Sequence, residues 1–177
     1  MRIPVVLTLA ALTFGLAGCN KAPDTPKTAE QVKAEVAKMD RPEPGKYRTT
    51  MKIIDVSIPG MPAERMAQMK NMFGASGKTM EFCLTPEQAS KGFEELNKRT
   101  AEGNCSYDSF NAGSGTIDAK MTCQTGKGMT TRSELHGSYS TTKSDLTMKT
   151  DTSGAGMPGA GMHMEAQVTN ERIGDCT

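Results

Sequence analysis

The chain has 177 residues, with 21 Lys and Arg against 20 Asp and Glu and a formal net charge of +1. That balance, with no long basic run, argues against a nucleic-acid partner, which a basic face would attract. With 14 Met, 3 Tyr and no Trp, any core rests on flexible aliphatic and thioether side chains rather than rings.

Met1-Arg2 is followed by "IPVVLTLAALTFGLA". A short charged region leading into an apolar stretch is the anatomy of a secretory signal. The stretch is shorter than the roughly 20 apolar residues of a membrane-spanning helix. It ends in Leu16-Ala17-Gly18-Cys19, which resembles the bacterial lipoprotein box. In that class the cysteine thiol, here Cys19, is joined to a diacylglycerol, the chain is cut before it, and the new amino group is acylated. Several acyl chains on one residue, palmitate among them, anchor stably, because each buried methylene contributes about 0.8 kcal/mol. Asn20 stands where aspartate retains such proteins at the inner membrane. The resemblance therefore implies the outer membrane of a Gram-negative bacterium, with the chain facing the periplasm. The expected division is a signal peptide at 1–18, a lipidated tether at 19–27, a short helix at 28–41 and one antiparallel β domain at 42–177.

"TAEQVKAEVAKM" follows the Pro-containing tether. Thr28 and Gln31 have capping-box spacing, and Ala29, Val32, Val36 and Met39 form an apolar stripe of helical period. "RPEPG" stops that helix. From Tyr47 the period becomes two. Tyr47, Thr49, Met51 and Ile53 share one face, and then the apolar set steps to Ile54, Val56 and Ile58. A one-residue change of face predicts a bulge near Ile53 and Ile54, or a strand buried on both faces there.

"AERMAQMKNMF" places Met66, Met69 and Phe73 at helical spacing before Gly74. "KTMEFCLT" alternates, with Met80, Phe82 and Leu84 opposite Glu81 and Cys83. "TPEQASKGFEELNKR" opens with Thr85 as cap, Pro86 at the first helical position and Gln88 three after the cap. Later segments "MTTRSELHGSY", "DLTMKTD" and "GMHMEAQVTNERIGDC" alternate cleanly. One polar and one apolar face marks an antiparallel sheet wetted on one side.

Beyond Cys19 stand Cys83, Cys105, Cys123 and Cys176. An even number in an oxidising compartment reads as two disulfides, with three pairings open. Folding "SYDSFNAGSGTIDAKMT" as a hairpin about Ser114 sets Cys105 opposite Cys123 and Tyr107 opposite Met121. This selects Cys105–Cys123, and Cys83–Cys176 by elimination. Without a C-x-x-C or a histidine at ligand spacing, zinc is disfavoured. The fold class is mainly β (α+β): a curved antiparallel sheet or incomplete barrel of about seven strands, with two inserted helices and one N-terminal helix.

"EPGKY", "FCLTPEQ", the later cysteines and the closing "RIGDC" resemble a family of exported proteobacterial proteins known as a domain of unknown function. The likeness covers roughly residues 42–177, with Tyr47 where that family commonly has tryptophan. It implies export and disulfides, and no activity or catalytic residue.

The residues offer no catalytic constellation. His136 and His163 both fall on polar faces of strands, and "SGAGMPGAG" reads as a hairpin loop without the lysine of a phosphate cradle. No enzyme activity and no cofactor are expected. Thioethers suit Cu(I), yet Met162 and Met164 share one strand face while His163 points to the other. A copper site would need Met61 and Met157 to meet. The expected function is a non-catalytic envelope interaction or structural role, with an unknown envelope protein as partner. The alternative is a binder of an apolar ligand in a Met-lined interior. A cavity of several hundred cubic ångströms separates the two.

Overall fold

The computed structural model describes residues 25–73, 77–91, 102, 104–126, 128–155 and 161–176. Cys19, Met157, Gly74 and the second half of the "TPEQASKGFEELNKR" segment lie outside them.

Helix α1 spans Ala29–Val36. Its capping box is formed: the Gln31 amide donates to Thr28 Oγ1 at 3.3 Å and the Thr28 amide to Gln31 Oε1 at 2.9 Å, so two otherwise orphaned amides are satisfied. The helix is shorter than the expected 28–41, ending at Val36 with Ala37 as C-cap. Strand β1 (Gly45–Ser57), helix α2 (Ala63–Phe73) and strand β2 (Lys78–Leu84) follow. Residues 86–91 are helical, and Thr85 and Gln88 cap them reciprocally at 3.0 and 3.2 Å. Strands β3 (Cys105–Gly113), β4 (Thr116–Thr125), β5 (Met129–Tyr139), β6 (Lys143–Gly154) and β7 (Met162–Gly174) complete the chain.

The seven strands form one open antiparallel sheet in the order β2-β1-β7-β6-β5-β4-β3. Strands β3 to β7 are a meander, and β1 adds to the free side of β7. Among the described residues three register shifts interrupt the ladders, and such irregularities sharpen a sheet's twist. One lies between Lys46 and Tyr47 against β7. A second lies between Ile53 and Asp55, where the sequence changes face. It leaves Ile54 exposed and returns Val56 to the core. The third, between Tyr107 and Ser109, has no such signature.

The β3–β4 turn is Ser114-Gly115, both with positive φ, 49° and 77°. This is the pattern of a tight two-residue hairpin turn. The symmetric hairpin about Ser114 is therefore half a residue out at its tip. The bulge at Asp108 absorbs the offset, so Cys105 still faces Cys123 and Tyr107 still faces Met121. Cys105 is joined to Cys123, and Cys83 to Cys176.

The enclosed core lies under α1. Val32 and Val36 pack on Tyr107, Phe110 and Ile117, with Met39, Met121, Leu135, Tyr139 and Leu146 around them. Tyr107 and Phe110 meet edge to face at 5.8 Å. Lys27 fastens the start of the helix: its amide donates to the Tyr107 carbonyl at 3.0 Å, and its ammonium reaches Glu35 and the Phe110 carbonyl.

Cross-strand register puts Met148, Met162 and Met164 on the same inner face as Leu135 and Ala166. They are only partly buried, and Met51 and Met80 are 41% and 62% exposed. The most enclosed residues are others: Val32 and Phe110 where α1 packs on the sheet, and Tyr47, Val56 and Ala166 on β1 and β7.

Candidate functional site

The inner face carries a groove of about 410 Å³ beside α1. Met39, Asp40 and Pro42, between α1 and β1, form one side. Tyr47 of β1 and Phe82 and Leu84 of β2 form another. Ile117, Leu135, Tyr139, Ser140, Lys143, Ser144, Leu146 and Asn170 supply the rest, from β4 to β7 and the β5–β6 turn. Ile117 and Phe82 sit on strands with four others between them in the sheet, so only a strongly curved sheet brings both to one groove.

Gly137 of β5 stands in the sheet between four of the groove's lining residues. Along β5 its neighbours on the inner face are Leu135 and Tyr139, and across the sheet it faces Ile117 and Leu146. All four line the groove. A Cβ at Gly137 would stand 2.1 Å from the Asp145 carbonyl oxygen. Glycine thus lets β6 approach closely and leaves the floor without a side chain. In the sequence this is only a glycine at an inward position of an alternating strand; which residues surround it is set by the cross-strand register.

Tyr47 ties the groove's end together. It stacks on Phe82 at 5.9 Å. Its hydroxyl donates to the Glu43 carbonyl at 2.8 Å and lies 3.1 Å from the Thr141 carbonyl. Burial, with a smaller contribution from Glu43 and against the opposing charge of Arg172, pushes the Tyr47 hydroxyl above its ordinary pKa. Burial, and secondarily Asp40, does the same to Tyr139.

The three motifs that carry the family likeness converge here. Arg172 of "RIGDC" donates from Nε to the Pro44 carbonyl of "EPGKY" at 2.9 Å. Cys176 of "RIGDC" is joined to Cys83 of "FCLTPEQ". Gly45, at φ 152°, is needed because a Cβ there would lie 2.6 Å from the Gly174 carbonyl oxygen.

A larger hollow, about 670 Å³, lies on the outer face, lined by Asp118, Lys120, Glu134, His136, Lys149 and Glu165 among others. Each of these polar side chains has a partner on the next strand. His136 Nδ1 is 2.7 Å from Asp118, Lys149 is 3.7 Å from Glu165, and Lys120 is 4.0 Å from Glu134. Such a ladder is a solvated sheet surface, with its polar groups already partnered. The inner groove is the stronger candidate for an apolar ligand despite its smaller volume.

Of the sequence-predicted residues, His163 lies on the outer face with Nδ1 2.9 Å from Asp151. Met162 and Met164 occupy the inner face. Met61 sits in the turn after β1, its amide bonded to the Ile58 carbonyl at 3.1 Å; Met157, like Cys19, is outside the described residues. The groove itself has one methionine, Met39, among aromatic rings and leucines, so "Met-lined" misdescribes it. The Thr49–Asn170–Ser144 cluster beside it joins side chains far apart in the chain, and nothing local in the sequence announces it.

The architecture is that of an open, curled antiparallel sheet with an apolar groove on its helix-covered face. The chain belongs to the DUF3617 family, described as a protein of unknown function, whose model matches residues 42–176. Neither the curated proteins nor the solved structures give a match.

Proposed function

We propose that this is a non-catalytic lipoprotein of the outer membrane, facing the periplasm, whose β domain binds an apolar ligand in the inner groove. The groove's volume of about 410 Å³ carries the reading. It falls in the usual range of small-ligand sites, about 300–1,000 Å³, and its walls are rings and leucines. This favours the ligand-binding reading over a purely structural role. The anchor rests on the lipoprotein-box resemblance of Leu16 to Cys19, and the tether ends where Lys27 fastens α1 beside the groove.

Leu84→Trp is expected to fill one wall from an edge strand. Binding of an apolar fluorescent dye should fall at least about tenfold, with the melting temperature little changed. Dye binding equal to that of the parent would remove the groove as the site. For the anchor, Cys19→Ser should release the protein from the membrane fraction; a variant retained there would overturn it.

A second reading has its own observation. Met51, Met80 and Phe82 are exposed on β1 and on the edge strand β2. An envelope protein docking there would cover a row of apolar side chains.

A further inference from the structure

Across the inner face, at the groove, runs a polar row. Thr49, Asn170 and Ser144 stand directly opposite one another on β1, β7 and β6, and Tyr139 of β5 continues the row. Thr49 Oγ1 donates to Asn170 Oδ1 at 2.6 Å, and Asn170 Nδ2 donates to Ser144 Oγ at 2.9 Å. The donors all point one way. The chain ends at the Ser144 hydroxyl, whose proton has no protein acceptor among the described residues. Ser144 and Asn170 both line the groove. Donors aligned in sequence reinforce one another, so Ser144 offers a strengthened donor inside an apolar site.

The charge around the row selects the acceptor. Asp40 lines the same groove, and its charge is felt at Tyr139, the neighbour of Ser144. That field opposes a carboxylate. Lys143 also contributes to the lining. It begins β6 opposite Glu171, and with Asp40 it gives the lining one charge of each sign, so neither a carboxylate nor an ammonium is favoured over a neutral acceptor.

Resting on the apolar-ligand reading above, we infer that the ligand is a neutral acyl ester. Its hydrocarbon lies over Ile117, Leu135 and Leu146, and its carbonyl oxygen accepts the Ser144 hydroxyl. An ester accepts without bringing charge, and its chain needs only apolar walls.

The test is displacement of the bound dye from the purified full-length protein by methyl laurate, laurate and tridecane at neutral pH. Methyl laurate should displace at the lowest concentration. Ser144→Ala should weaken methyl laurate about three- to tenfold, the scale of one hydrogen bond, and leave tridecane unchanged. Equal potency of ester and alkane in the parent, or an equal loss of both in Ser144→Ala, would overturn the inference and leave the apolar-ligand reading standing. Laurate as the strongest competitor would overturn the neutral assignment. No displacement by any of the three would overturn both readings. The parent comparison needs no variant, so the result does not depend on how Ser144→Ala folds.

Discussion

Phe110→Ala is expected to destabilise the protein by about 3–5 kcal/mol, the range for a core phenylalanine. Phe110 is 4% exposed and belongs to the one cluster in which α1 and the sheet meet. Its loss leaves a cavity beneath Val32 and Val36 and removes the edge contact to Tyr107. The loss should loosen α1 as well, because the Lys27 ammonium grips the carbonyl of this same residue. Met148→Ala gives the contrast. Met148 is only partly buried, so its loss should fall below the roughly 2–5 kcal/mol of a fully enclosed methionine. Urea denaturation of both variants checks the order; an equal or larger loss at Met148 would move the core away from α1.

The second large effect is at the cysteines. Cys83 and Cys176 are 93 residues apart, and Cys105 and Cys123 are 18 apart. In the chain-entropy model the longer loop contributes about 4.5 kcal/mol and the shorter about 3. Replacing the Cys83/Cys176 pair by serines should therefore cost more than replacing Cys105/Cys123. The geometry adds to the difference. Cys105 and Cys123 lie on strands already paired by a tight hairpin. Cys83 is on the edge strand that carries Phe82 and Leu84, so its release also frees a groove wall. Dye binding should weaken in the first double variant and hold in the second. Reversed stabilities would overturn the ranking, and non-reducing peptide mapping that joined Cys83 to Cys105 would overturn the pairing.

What the sequence made legible was whatever repeats locally. Alternation of two gave the strands and their inner face, because successive side chains point to opposite sides. Thr28 with Gln31 and Thr85 with Gln88 gave two helix starts. The shift of the apolar set at Ile53 and Ile54 located the β1 bulge, since an extra residue moves every later side chain across the sheet. The β3 bulge was hidden, because polar Asp108 and Ser109 leave the apolar pattern with no step to read. The groove was hidden for a different reason. It depends on curvature that brings Ile117 near Phe82 and on a missing side chain at Gly137. The Thr49–Asn170–Ser144 row is assembled from strands far apart in the chain. Burial of methionines was overread, since alternation says which face a residue takes and not what covers it.

The pairing of β1 with β7 also sets an order of events. Strands β3 to β7 join neighbour to neighbour, so their contacts form over short loops. Strand β1 must find β7 near the far end of the chain, from Lys46 against Gly174 to Ser57 against His163. Closing such a long loop is the slow kind of step, because its entropy is lost before the ladder forms. A chain emerging N-terminus first holds β1 and its β2 partner waiting, with the β7-facing edge of β1 unpaired, until the final residues arrive. The groove is then the last part of the molecule to exist. A chain stopped short of β7 keeps the meander's apolar floor without the opposite wall, and in that state it is a candidate for aggregation or proteolysis rather than for binding.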